Sequence, residues 1–165
     1  MHARGEHQQT AEAFHEVRDI FERDAWFRWR YNIRFEAAMA EHWLSQGDVA
    51  QARAYVERLH ATATEHEVHK YIAVAHQLNA KLALADGDLA EAEKQFDAAL
   101  TELGNYPAPL VAWKVHAQRA QLKLQMNDAA GAQEPSARAQ EIVNSIAANV
   151  HDQRNKFLSA TRAVL

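Results

Sequence analysis

The chain has 165 residues, with 18 Lys and Arg against 22 Asp and Glu, and its formal charge of −4 lacks the strongly basic footprint of a dedicated nucleic-acid binder. Cysteine is absent, which removes disulfides, thiolate metal sites and cysteine nucleophiles. Five Gly and three Pro interrupt a chain that holds 34 Ala, so a single all-α domain spanning 1–165 is expected.

Met1 to Thr10 is polar and has no apolar core of the signal-peptide kind, and no apolar run approaches the roughly 18 residues of a membrane span. The expected address is the cytoplasm, with no membrane partner. Residues 8–22 are amphipathic, and Ala13, Val17 and Ile20 match the spacing of Ala52, Val56 and Leu59 further on. A helix over 8–23 therefore reads as the back half of a repeat. The stretch from Trp26 to Arg34 then interleaves aromatics with arginines. Such a pattern can stack on single-stranded nucleic acid, but at a helix junction in an acidic chain it fits cation–π packing better.

From here a period of 40 residues takes over. The corners Gly47-Asp48, Gly87-Asp88 and Asn127-Asp128 recur in step, together with the columns Ala40/Ala80/Ala120 and Leu44/Leu84/Leu124. Segments near 30–46, 66–86 and 109–126 place apolar residues at three- and four-residue steps, as first helices would. A left-handed Gly or Asn ends each one, and the following Asp caps a second helix. Asp88 with Glu91, and Thr64 with Glu67, have capping-box spacing. The Ala columns predict close helix crossings. Pro135 falls inside the last second helix and predicts a kink or restart between Gly131 and Pro135. Asp152 can cap a closing helix that contains Phe157 and Leu158. The layout is then a half-repeat (8–23), three units (28–64, 65–104 and 107–149) and a capping helix (152–164).

Ala92-x-x-x-Phe96 with Ala99-Leu100, behind the Gly87-Asp88 corner, resembles the second helix of a tetratricopeptide repeat, and Ala80 matches its small first-helix residue. His76, Asn79 and Ala83 depart from that motif's Trp, Leu and Tyr, and the period exceeds its usual 34. Over nearly the whole chain the sequence is also similar to the C-terminal repeat region of large bacterial signalling ATPases, those carrying cyclase, kinase or LuxR/MalT-type regulator modules. The carrying residues are Asp24-Ala25-Trp26-Phe27-Arg28-Trp29-Arg30-Tyr31 with Arg34, the Gly-Asp corners, and Phe157-Leu158 with Arg162-Ala163-Val164-Leu165. Ser159-Ala160-Thr161 lacks the proline that relatives place before the last Arg. The resemblance implies a right-handed superhelical array of antiparallel hairpins, working as a non-catalytic scaffold within a larger signalling or transcription-regulating protein. The family's nucleotide chemistry does not transfer, because five scattered glycines form no phosphate loop.

In tetratricopeptide arrays the first helices build a concave wall along which a partner lies. Mapped onto this chain, the wall comprises Arg34, Ala37 and Glu41, then Val74, Gln77 and Lys81, then Lys114, Ala117 and Gln121. Arg34, Glu41, Gln77, Lys81, Lys114 and Gln121 are the expected partner-binding residues. The mildly basic wall suits an acidic or extended peptide or protein, and a second copy of the chain is an open alternative. No catalytic residue, metal or cofactor is expected. The competing reading is a metal- or nucleotide-responsive regulatory enzyme that uses His66 and His69, three apart, or the Arg-rich junction. Against it, the i, i+4 histidine spacing of zinc helices is absent. His76 and His116, also 40 apart, read as packing residues with a hydrogen-bonded nitrogen.

Overall fold

The computed structural model describes residues 28–150 and 153–161. Among them it is all-helical, with seven α-helices. These are α1 (Arg28–Gln46), α2 (Val49–Glu65), α3 (His69–Ala85), α4 (Leu89–Asn105), α5 (Pro109–Gln125), α6 (Ala129–Ala148) and α7 (Arg154–Thr161). Helices α2 to α6 begin at residues 49, 69, 89, 109 and 129, so each 40-residue unit is two steps of 20. The expected half-repeat helix at 8–23 lies outside the described residues, as do Asp152 and Val164 of the closing segment.

From α1 to α6, connections of two or three residues force neighbouring helices to run back against one another. Each helix packs on the next, and the first helices α1, α3 and α5 also touch in sequence. The core divides accordingly. One cluster joins Met39, Val56, Leu59 and Leu78, and a second joins Phe96, Leu103, Val115 and Leu122. Helix α3 serves both, giving Ala75, Leu78 and Leu82 to the first and Ala73, Ala80 and Ala83 to the second. A helix buried on two sides needs small residues at its closest crossings, and Ala40 and Ala80 have no exposed surface, with Ala120 nearly as enclosed.

The corners show why the 40-residue columns exist. At Gly87 the backbone is left-handed (φ +80°), its N–H donates to the Leu84 carbonyl, and Asp88 N–H donates to the Ala83 carbonyl. This is a Schellman closure, and it satisfies two of the carbonyls a helix end leaves orphaned. The Asp88 carboxylate then accepts from Glu91 N–H at 2.9 Å to start α4. The same pattern recurs at Gly47 with Asp48 and at Asn127 with Asp128.

A fourth corner of this kind follows α2, where no glycine stands. Glu67 takes the left-handed conformation (φ +53°), and Val68 N–H closes onto the Ala63 carbonyl. The Thr64–Glu67 capping box therefore does not form. Helix α2 runs on through Glu65, and α3 starts behind Val68 without a side-chain cap. The Asp88–Glu91 box is only half made, because the Glu91 carboxylate turns to Lys94 and Gln95 while Asp88 N–H is spent on the corner.

Pro135 corrects a second expectation. Helix α6 is continuous from Ala129 to Ala148, with no restart at Gly131, and Pro135 is buried within it. The helix forgoes one amide bond and keeps its stripe of Ala132, Pro135, Ala139, Val143 and Ala147 against the core, which carries it through the defect without a break. Among the described residues no helix is long and apolar enough to cross a membrane.

Candidate functional site

Repeat spacing places the expected partner-binding residues on α1, α3 and α5, the three helices that touch in sequence. Arg34, Glu41, Lys114 and Gln121 are exposed there, and Lys81 is half-buried. Lys81 Nζ lies 3.6 Å from a Glu41 carboxylate oxygen and ties α3 to α1. The Lys114 ammonium sits 6.0 Å from the centre of the buried Trp113 ring, within cation–π range. Gln77 has another position. It is only 5% exposed, and its Nε2 donates to Gln118 Oε1 at 2.9 Å, so its amide joins α3 to α5 beneath the surface. After the Glu41–Lys81 pair is discounted, Arg34 and Lys114 remain on this row without an ion-pair partner among the described residues. The row carries a mild positive charge from Arg34 and Lys114.

The histidine pair is drawn apart. His66 stacks on Trp29 of α1, ring centres 4.4 Å apart. His69 stacks flat on Tyr106, 3.4 Å away, and its Nδ1 meets Glu102 Oε1 at 2.5 Å. Each imidazole is committed to a different neighbour, and no group of three or more metal-ligating side chains occurs among the described residues. In the Arg-rich junction, Arg30 lies over the Trp29 ring at 5.1 Å, while Trp26 and Phe27 fall outside the described residues.

The His76/His116 pair belongs to a longer column that sequence reasoning did not extend to Glu36, one residue per unit at steps of 40. All three are at least half-buried. Glu36 is 8% exposed, and burial pushes its carboxyl up to about 7 against the opposing pull of Arg58, whose Nε is 3.8 Å away. One of its carboxylate oxygens has no hydrogen-bond partner. His76 Nδ1 is paired with Gln95 Oε1 at 2.8 Å. His116 Nδ1 is buried with no partner, contrary to the expectation of a hydrogen-bonded nitrogen, and burial pushes its pKa down. The cause lies in the repeat itself, because Gln95 of the second unit becomes Pro135 in the third. Carrying the His76/His116 register back one unit would have found Glu36.

Two clefts open beside this column. One, of about 450 Å³, is bordered by Phe35, Glu36, Tyr55 and Arg58 between α1 and α2. The larger, about 610 Å³, lies between the end of α4, the start of α5 and the second half of α6. Compared with known protein families, curated proteins and solved structures, the chain matches none.

Proposed function

We propose that the chain is a non-catalytic interaction scaffold of the tetratricopeptide kind, a right-handed superhelix of hairpins whose row of first helices receives a protein or an acidic, extended peptide. The observation that carries this reading is the succession α1, α3, α5 in mutual contact, presenting Arg34 and Lys114 at opposite ends of one surface. Such a surface attracts acidic chains over a Debye length of about 8 Å at physiological salt, without demanding a fixed sequence. The resemblance carried by Trp29-Arg30-Tyr31 and the Gly-Asp corners favours a regulatory role in a larger bacterial signalling ATPase, acting in the cytoplasm. The partner is then another module of that protein, a separate protein or a second copy.

The test uses fluorescein-labelled extended peptides, acidic and basic, followed by anisotropy at low and high salt. Acidic peptides bind more tightly, and raising salt weakens them. Arg34→Glu/Lys114→Glu lowers their affinity at least tenfold (about 1.4 kcal/mol) while thermal stability stays put. Equal binding of acidic and basic peptides, or an unchanged affinity in the double variant, refutes this placement.

A further inference from the structure

The larger cleft marks a place where the third unit lacks a plug that the second unit supplies for itself. In the second unit, His69 opens the first helix, Tyr106 stacks flat on it at 3.4 Å, and Glu102 hydrogen-bonds its ring nitrogen. Forty residues on, these positions are Pro109, Ile146 and Ile142, all bordering the cleft. An imidazole, a phenol ring and a carboxylate have been replaced by three aliphatic side chains, none of which accepts a hydrogen bond.

The rest of the wall indicates what belongs there. Leu103 and Ala112 extend the apolar lining. Arg138 stands at the position of Arg58, which in the first unit faces the carboxylate of Glu36. In the third unit the Glu36 position is His116, so the arginine has lost the carboxylate that its counterpart has across the cleft. Arg138 is left with Glu141, three residues along its own helix, and both side chains are more than half exposed. An exposed pair of this kind is weak and yields to a better-placed anion.

We propose that the cleft between α4, α5 and α6 binds a small aromatic carboxylate, its ring against Leu103, Ala112, Ile142 and Ile146 and its carboxylate on Arg138. The ligand supplies in one molecule a ring where the second unit has Tyr106 and, for Arg138, the carboxylate that Glu36 gives Arg58 in the first unit. The volume lies within the 300–1,000 Å³ usual for small-molecule sites. The site is formed by second helices and the start of α5, so it stands or falls independently of the row of first helices.

Phenylacetate is the probe, titrated into the full chain and followed by amide chemical shifts, with phenylacetamide and acetate as controls. Phenylacetate binds with a Kd on the order of 1 mM, as expected for ten heavy atoms, and shifts resonances of α5 and α6 around the cleft. Phenylacetamide and acetate bind at least tenfold more weakly. Arg138→Gln, a surface change that spares the fold, weakens phenylacetate about tenfold and leaves phenylacetamide unchanged. Ile142→Glu/Ile146→Tyr with Pro109→His, which rebuilds the second unit's plug, abolishes binding, and its circular dichroism reports whether it folds. Absence of saturable shifts up to about 20 mM, shifts confined to another surface, or equal binding of acid and amide would each overturn the assignment.

Discussion

Glu36 gives the most direct test of how the interior is built. Its carboxyl is raised from the ordinary 4.5 to about 7 because burial penalises the charged form more than Arg58, 3.8 Å away, rewards it. Each tenfold change in proton affinity is worth about 1.4 kcal/mol, so ionised Glu36 costs the native state about 3 kcal/mol. Because the folded chain holds this proton more tightly than the unfolded one, the contribution is harmless below about pH 4.5. Stability is lost progressively as pH rises from there, and the loss levels off above about pH 7.

Glu36→Gln removes the titration and keeps the shape. Urea unfolding followed by tryptophan fluorescence should show the variant more stable than the parent by about 3 kcal/mol at pH 8.5, and nearly equal at pH 4. His60 and His116 also titrate. Burial lowers both, so they lose stability as pH falls through their range, but they are present in both proteins and cancel in the difference. A variant less stable than the parent at pH 8.5, or a difference that does not change with pH, would show that the Arg58 contact outweighs desolvation.

The remaining predictions concern the helix framework. Glu67→Gly relieves a non-glycine residue held at φ +53° and should raise stability by about 1 kcal/mol, read from the chemical-denaturation midpoint; destabilisation would mean that the Glu67 side chain makes an essential contact. Pro135→Gln returns the missing amide to α6 and gives His116 the partner that His76 already has, so a gain of about 2–3 kcal/mol is expected, with slower amide exchange at residue 135. Ala80→Leu forces a larger side chain into a crossing with no exposed surface and should cost at least 1–3 kcal/mol by the same measurement.

Much of the fold was legible because its punctuation is chemical. Gly47, Gly87 and Asn127 tolerate a left-handed backbone, and the Asp after each can cap a helix, so the corners announce themselves. The corner at Glu67 was not legible, since nothing in Glu65-His66-Glu67-Val68 favours that conformation; the packing of α3 against α2 imposes it. Pro135 reads as a breaker because local propensity counts only the lost amide, whereas the buried stripe of α6 holds the helix together. The surface row was legible as far as repeat register places residues on α1, α3 and α5. Gln77 sank out of that row because Gln118 offered its amide a partner from the next unit, a contact that depends on how the units stack.

The departures from the repeat carry more information than the repeats do. Corners at Gly47, Glu67, Gly87 and Asn127 close alike, but the one between α4 and α5, at Tyr106-Pro107-Ala108, cannot, because proline has neither the amide nor the left-handed backbone that the closure needs. In the third unit, Pro109 replaces His69, Pro135 replaces Gln95, Ile142 replaces Glu102 and Ile146 replaces Tyr106. Three of these, with Pro107, border the same cleft, and the fourth strips the partner from the His116 that borders it too. Around this cavity the third unit goes without a corner closure, an amide bond and a buried hydrogen bond that its neighbours make, so the wall of the cleft is where its local interactions are least complete.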